Sequence, residues 1–466
     1  MHKMDSFKDM VLVANGLTNR GEHSYRLIQE VRGALARRAI GCHVYAARSL
    51  DPGVVEEKIA VPHFKYTLYD SVGPRVSDLL ARKLEWWRSG QKLLSYPAEF
   101  LTWKALNRSF RHDLESLPQN ICTADHLMVI TAICQNQISG VVDFMCARPQ
   151  DSLPRVVCQL MFPPNWTPWE RTARYSDAYY RKAFQKALPL IGHKLFFTTE
   201  NEAVAKIYRE QYGVETMILP IPFTASPCRR PAEKIIRLGF FGYSKTAKGF
   251  HLLPEAATIC RDTGLNVEFR IQIQHSQWEQ ATIQAEARLR TMPNVHLIEG
   301  SLHSCDYIAE TNKADVVLLP YDPILFGMRG SGIFTESVAA GRPIIASDGT
   351  FAAESIRMGE AQGEIFTPYS AQELARAIAR ILPRLPEMQA NAAAQADIFA
   401  RKHSGDAYVD VLLSLLSSAP DHFSGNFTAE PDDKRVSKEG VDMVSKQSIS
   451  SANRNPSRKD RYEIRA

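Results

Sequence analysis

The sequence predicts an α/β protein of two Rossmann-like, doubly wound parallel-sheet domains with a cleft between them. The chain has 466 residues, too many for one ordinary core, and fits two domains of about 200 residues. Short apolar runs alternate with helical patterns, which is typical of a parallel sheet covered by helices on both faces. The alternation stops at a Pro-rich stretch near residues 220–234 and then restarts, so the domain boundary is predicted there.

The first domain is predicted over residues 1–222, with a helix near residues 23–38 after its first strand. Its predicted strands are, in chain order, "MVLVAN", "CHVYAA", "LMVIT", "RVVCQLMF", "KLFFTT" and "ETMILP". The second domain is predicted over residues 235–418. Its predicted strands are "IIRLGFFGY", "NVEFRIQI", "NVHLIEG", "DVVLLP" and "PIIAS".

Two segments depart from this alternation. Residues 75–117 have long helical patterning rich in Arg, Lys and Trp. We interpret them as a helical insertion packed on its own domain; the alternative is an element that docks an acceptor or touches a membrane surface. Residues 419–466 mix both charges with Ser, Asn and Pro and contain little to bury, so we expect a disordered tail.

The composition narrows the class of protein. With 45% apolar and 23% charged residues the chain is typical of globular proteins, and its net charge of +5 suits an anionic ligand. No concentrated basic stripe favours a nucleic-acid partner. The eight cysteines include no C-x-x-C pair, and we expect reduced thiols. Neither a signal peptide nor a run of about 20 apolar residues is found, so a cytoplasmic location is expected, with peripheral contact to the inner membrane face as an option.

The segment "PYDPILFGMRGSGIFTESVAAGRP", residues 320–343, carries the main binding motif. It follows a predicted buried strand and leads into a helix, so it lies at the carboxyl edge of a parallel sheet, where ligands of such folds bind. Gly330 and Gly332 allow backbone N–H groups to approach a ligand, Ser331 adds a hydroxyl, and the helix start favours an anion. Arg329 adds a fork of donors. Together these residues predict a phosphate site.

Glu336 meets a second requirement of the same ligand. It lies four residues after Gly332 on the same helix face, about 6 Å along the axis at 1.5 Å per residue. That spacing suits a diphosphate at the helix start and the ribose of its nucleotide beside the carboxylate. The alternative is a plain glycine turn with Glu336 paired to a surface cation.

The segment "LGFFGYSKTAKGFHLL" supports ligand binding. It runs from a strand through Gly242 to Lys248 and into a helix, and a lysine on such a turn can reach a phosphate. The segment fits neither G-x-G-x-x-G nor G-x-x-x-x-G-K-[ST], and no D-x-D triplet or His cluster offers a metal site. We therefore expect a phosphate site without a metal or other cofactor.

These motifs make the second half similar to the group-one family of GT-B glycosyltransferases. "LGFFGYSKTAKGFHLLPEA", "NVHLIEG", "ADVVLLPY" and "GIFTESVAAGRPIIASDGTFAAE" occur in the order and spacing of that family. In the first domain, "MVLVANGLTNRGEHSYRLIQEVRGALARRA" looks like the first strand, glycine-bearing loop and first helix of the family.

The resemblance implies roles for single residues. Glu336 corresponds to the second Glu of the family motif Glu-seven residues-Glu, which holds the donor ribose, and Lys248 to the lysine that contacts the diphosphate. Gly21 belongs to the loop that faces the donor across the cleft. Glu22 and His23 are candidate acceptor-side residues, with capping of the first helix as the alternative.

Three family features are replaced in this chain. Met328 stands where the first motif Glu contacts the donor sugar, and Asp322 is a candidate substitute. Tyr243 follows Gly242 where the family often has Arg, so Arg329 or Lys245 is expected to supply that charge. Some members place a His after the strand "VVCQLMF", and the chain has none there.

The resemblance implies a metal-independent transferase that moves a sugar from a nucleotide-diphosphate donor to a glycan or lipid-linked acceptor, with retention, in polysaccharide synthesis. Lys248, Arg329 and the helix-start N–H groups would stabilise the departing diphosphate. Two alternatives stay open. One is a non-catalytic protein that binds sugar nucleotides or glycans, and the other is a hydrolysing sugar-nucleotide epimerase.

Overall fold

The structure is a computed structural model and describes residues 7–20, 23–68, 91–164, 176–223, 235–274, 279–300, 302 and 304–417. For residues 91–102, 304, 305 and 417 the description covers the backbone alone. All of these residues belong to one unit of the fold. Helices and strands are numbered below in chain order over this described part.

The first domain is built on a seven-stranded sheet in which every pairing is parallel. Its strands are β1 (Asp9–Ala14), β2 (Gly41–Ala47), β3 (Val61–Phe64), β4 (His126–Ile133), β5 (Arg155–Leu160), β6 (Leu195–Thr199) and β7 (Met217–Ile218). Their spatial order is β3-β2-β1-β4-β5-β6-β7. The central strand β4 is buried along its whole length, which explains its unbroken apolar sequence.

Helices cover both faces of this sheet. They are α1 (His23–Arg37), α2 (Pro52–Glu56), α3 (Gln91–Glu115), α4 (Ile138–Cys146), α5 (Ser176–Ala187) and α6 (Glu202–Tyr212). Helix α1 turns Leu27, Ile28 and Val31 into the core. This is the 3.6-residue apolar spacing that predicts a helix at residues 23–38.

The second domain is built on a six-stranded parallel sheet with the order β10-β9-β8-β11-β12-β13. Its strands are β8 (Ile236–Phe240), β9 (Val267–Ile273), β10 (Val295–Glu299), β11 (Val316–Leu319), β12 (Ile344–Ser347) and β13 (Gly363–Phe366). Its helices are α7 (Leu253–Asp262), α8 (Gln280–Leu289), α9 (Ser304–Thr311), α10 (Pro323–Phe326), α11 (Gly332–Ala339), α12 (Phe351–Arg357), α13 (Ala371–Ile381) and α14 (Leu385–Lys402). The predicted pair of parallel-sheet domains is confirmed.

Each sheet reverses its strand order beside its own first strand. The reversal lies between β1 and β4 in the first sheet and between β8 and β11 in the second. Loops at the carboxyl ends of such strands diverge and leave a crevice. The loops after β8 and β11 carry Lys248 and the 320–332 segment, so the topology brings the two predicted binding motifs to one edge.

The described part of the predicted insertion packs on its own domain. Helix α3 lies within residues 75–117, and its Leu106, Phe110 and Leu114 are buried. The ring of Phe110 stacks on Phe64 of β3 with centroids 5.2 Å apart. This packing agrees with the helical-insertion interpretation from residue 103 onward; residues 69–90 lie outside the described residues.

The last described helix, α15 (Gly405–Ser417), returns to the first domain. Its Tyr408, Val409 and Leu412 share a core with Leu27 and Val31 of α1. The predicted end of the second domain at residue 418 therefore falls after a helix that packs on the first. Residues 224–234 of the linker predicted near residues 220–234, and the whole predicted tail, lie outside the described residues. None of the helices that the structure describes is long and apolar enough to cross a membrane.

Candidate functional site

The loop between β11 and α11 forms the second-domain wall of the candidate site. Strand β11 is fully buried, and Asp322 begins the short helix α10 by accepting a hydrogen bond from the Ile324 N–H at 2.8 Å. Ser331 then caps α11, since its Oγ accepts from the Phe334 N–H at 3.3 Å. Ser331 is half-buried, so packing does not cover the helix start completely.

The Lys248 turn packs directly against the start of this loop. Gly249 has φ +75°, and a Cβ atom there would overlap the carbonyl oxygen of Pro320. The Asp322 N–H donates to the Ala247 oxygen at 2.9 Å. Gly242 has φ +82°, and a Cβ atom at this residue would lie 3.1 Å from Lys248 Nζ. Backbone contacts thus hold the loops after β8 and β11 together, and Lys248 lies where these two loops meet.

Positive charges crowd this corner. Burial lowers the pKa of Lys248 to about 8, the charges of Lys245 and Arg329 lower it in the same direction, and Glu336 opposes them. Burial and Arg329 also lower the pKa of Lys245. Desolvation and neighbouring positive charges both disfavour the charged form of an ammonium group. A bound anion would relieve the repulsion.

Glu336 is held by residues of both domains. It forms an ion pair with Arg26 of α1, in which the side chains are 17% and 20% exposed, respectively. Tyr307 Oη donates to Glu336 Oε2 at 2.9 Å, and the Arg26 guanidinium lies 4.3 Å from the centroid of the Tyr307 ring. A carboxylate has further lone pairs, so these contacts leave it able to accept a ribose hydroxyl.

His23 joins the start of α1 to the start of α11. A Cβ atom at Gly332 would lie 2.6 Å from His23 Cδ2, so the imidazole packs directly on that glycine. Burial, with help from Arg26, lowers the pKa of His23 to about 4, and the ring is therefore neutral near pH 7. The structure thus places His23 against the loop between β11 and α11, which is called the donor loop below. Gly21 and Glu22 lie outside the described residues.

Arg329 lies among aromatic rings at the other end of the loop. Its guanidinium carbon is 4.8 Å from the Phe326 ring centroid and 5.5 Å from that of Phe162 in the first domain. Tyr243 occupies the place after Gly242, and Lys245 Nζ lies 4.7 Å from its ring centroid. The two candidates for the charge that the family often supplies with an Arg after this glycine, Arg329 and Lys245, therefore both lie at the carboxyl edge of the second sheet.

Sequence reasoning missed Glu200, which follows β6. Its Oε1 accepts from Gln159 Nε2 at 3.2 Å, and its Oε2 would lie 2.6 Å from a Cβ atom at Gly330. Burial raises the pKa of Glu200 to about 7, although Arg329 acts in the opposite direction. Arg26 and Tyr307 were also missed, because nothing in the spacing of a helix marks a side chain that contacts a residue far along the chain.

The carboxyl edge of the first sheet adds two buried amides. Asn15 follows β1, Gln135 follows β4, and both side chains are 0% exposed. Neither amide group has a hydrogen-bond partner among the residues that the structure describes. They follow the two strands between which the strand order of the first sheet reverses.

Comparison with known proteins agrees with this architecture. Residues 230–397 match the family described as glycosyl transferases group 1. The match covers the second domain and confirms the resemblance inferred from its motifs. No curated protein sequence matches the chain.

Three solved structures are similar to the chain at low identity. A trehalose-6-phosphate protein of E. coli bound with UDP-2-fluoro glucose has a TM-score of 0.60 and 12% identity, covering 88% of this chain and 99% of its own. HepE of Anabaena in complex with UDP and glucose has a TM-score of 0.54 and 15% identity, covering 89% and 100%. A mutant of S. aureus TarM in complex with Fondaparinux, alpha-GlcNAc-glycerol and UDP has a TM-score of 0.50 and 15% identity, covering 67% and 59%. The chain thus spans about three fifths of the TarM length. These likenesses show the GT-B fold.

Proposed function

Because its second domain matches the group-one glycosyltransferases, we propose that the protein transfers a sugar from a nucleotide-diphosphate donor to a hydroxyl-bearing acceptor. The observation that carries the proposal is the clustering of Lys248, Lys245 and Arg329 near the half-buried start of α11, where burial and the two other cations lower the pKa of Lys248 to about 8. A nucleotide diphosphate would bring two negatively charged phosphates to this cluster of cations. Similar structures bound to UDP or a UDP sugar support a nucleotide of this class.

The donor would lie along α11. Its diphosphate would occupy the start of the helix beside Lys248 and Gly242, and the ribose would reach Glu336 about 6 Å further along the axis. Tyr307 and Arg26 hold the Glu336 carboxylate in place for this contact.

Transfer breaks the bond between the sugar carbon and the phosphate oxygen, and the electron pair goes to the diphosphate. Lys248, Arg329 and the N–H groups at the α11 start would stabilise this growing negative charge, which is the part that a metal ion plays in other transferases. The acceptor oxygen forms the new bond to the sugar carbon. Its proton passes to the leaving phosphate, and attack on that same face retains the configuration.

The test measures binding first and turnover second. UDP, GDP and ADP are titrated calorimetrically into wild-type protein, Glu336→Ala and Lys248→Ala, with the exposed pair Lys206 and Glu210 of α6 mutated to Ala as controls. We expect one nucleotide to bind wild type and the two controls, and to bind each site variant at least tenfold more weakly. Wild-type affinity in both site variants would contradict the assignment.

Turnover separates the proposal from its alternatives. The protein is incubated with UDP-, GDP- and ADP-sugars, with and without cell-derived glycan and lipid-linked acceptors. Nucleotide release that depends on an acceptor indicates transfer. Isomerised sugar without an acceptor indicates an epimerase, and binding without turnover indicates a non-catalytic sugar-nucleotide protein.

A further inference from the structure

Residues 200 and 201 of the first domain contact the donor loop of the second domain. Asn201 caps α6 by accepting from the Val204 N–H at 3.0 Å, and its Nδ2 donates to the Met328 carbonyl oxygen at 2.9 Å. Glu200 precedes it at the carboxyl end of β6. The cap fixes Asn201 on its helix, so the contact to Met328 also fixes the position of Glu200.

The Glu200 carboxyl is packed on Gly330. Oε2 lies 2.6 Å and Ile221 Cδ1 lies 2.8 Å from the point that a Cβ atom at residue 330 would occupy, so any larger residue there would displace this carboxyl. Gln159 is its one hydrogen-bond donor among the described residues. Glu200 is half-buried, and desolvation raises the pKa of its carboxyl to about 7, so a hydroxyl donor would stabilise its charged form.

The order of groups along the donor loop matches the order of groups in a nucleotide sugar. Glu336 lies on one side of the α11 start, where the ribose is placed. The helix start and Lys248 lie in the middle, where the diphosphate is placed. Gly330 and Glu200 lie on the other side, two residues before the helix begins. A nucleotide sugar is a linear sequence of ribose, diphosphate and sugar, so its sugar falls beside Glu200.

We propose that Glu200 binds a hydroxyl of the sugar being transferred and so positions that sugar and helps select it. The inference rests on the proposed function. It also accounts for Met328, which stands at the place of the usual sugar-binding carboxylate and whose side chain is 41% exposed. The other acidic candidate, Asp322, is engaged in capping α10. In this chain the first domain therefore supplies the carboxyl that the loop itself lacks.

The experiment compares each nucleoside diphosphate with its own sugar conjugate. Dissociation constants at pH 7.5 are measured for UDP, GDP and ADP and for UDP-glucose, UDP-N-acetylglucosamine, GDP-mannose and ADP-glucose. The proteins are wild type, Glu200→Gln and Glu200→Ala, with Glu202→Gln as the control because Glu202 lies two residues away and its side chain is 70% exposed. Melting temperatures verify that each variant is folded.

We expect both Glu200 variants to bind the nucleoside diphosphate within about twofold of wild type and the sugar conjugate at least tenfold more weakly, the loss of one charged hydrogen bond. The Glu202 control should match wild type for both. Equal weakening of both ligands would show a structural role and overturn the proposal. So would unchanged affinity for both, or a change confined to the KM of the acceptor. If wild type bound none of the seven ligands, the proposed function itself would fail, and this inference with it.

Discussion

The lowered pKa of Lys248 makes nucleotide binding depend on pH in a defined direction. With a pKa of about 8 in the free protein, roughly 90% of Lys248 is charged at pH 7 and roughly 10% at pH 9. A bound diphosphate favours the charged form and raises the pKa in the complex. The affinity should therefore be nearly constant below pH 7 and fall about tenfold between pH 7 and pH 9.

Lys248→Arg is the matched control, because a guanidinium stays charged over the whole range. It keeps every other titrating group, including Glu200, and the nucleotide's own ionisation is common to both proteins. The measurement is a calorimetric titration of the nucleoside diphosphate at half-unit steps from pH 6 to pH 9. Subtracting the Arg profile from the wild-type profile isolates the contribution of Lys248. Parallel profiles for the two proteins would refute the idea that Lys248 titrates against the diphosphate.

Three further substitutions test the packing around the site by chemical denaturation. Gly249→Ala should lower the free energy of unfolding by about 1 kcal/mol or more beyond the loss caused by Gly264→Ala. Both glycines have φ near +75°, but only a Cβ atom at residue 249 would overlap a carbonyl oxygen, so equal losses would contradict that overlap. Gly332→Ala should destabilise wild type by about 1–3 kcal/mol but be neutral or stabilising in a His23→Ala chain, where no imidazole meets the new methyl group. If a double-mutant cycle of the two substitutions showed no coupling energy, it would count against that contact. Arg26→Met should cost about 1–2 kcal/mol because it leaves Glu336 without its cation, whereas the exposed Arg37→Met should cost less than about 0.5 kcal/mol; similar losses would mean that the cross-domain pair contributes little.

The sequence predicted most strands because strands covered on both faces must be apolar throughout. The run at residues 315–320 is an example, and it forms the fully buried β11. Strand β13 was not predicted, because Gly363–Phe366 is short and only Phe366 is buried. The four-residue helix α10 was not predicted either, because one turn shows no periodicity and the proline at residue 323 suggests a plain loop.

The candidate site was predictable only on the side where one stretch of chain carries the chemistry. Gly330, Ser331 and Gly332 are adjacent, and a helix start binds anions wherever it occurs. The opposite side depends on contacts that sequence spacing does not contain. Arg26 and Glu336 are 310 residues apart, and they meet because α1 and α11 point their starts at the same cleft.

Charge balance across the cleft connects these observations. Arg26 and Glu336 neutralise each other, and Glu200, with a pKa of about 7, is only partly ionised near neutrality. Lys245, Lys248 and Arg329 lie close enough to influence one another's charge near the start of α11, which itself carries roughly half a positive charge, and among them Lys245 also interacts with Glu279. Such an arrangement costs folding free energy, and sequence pattern alone gives no reason to keep it. A ligand with two phosphates would offset that cost. The charges of Lys245 and Arg329, which add to burial in lowering the pKa of Lys248, would then favour binding of the diphosphate and, later in the reaction, stabilise it as the leaving group.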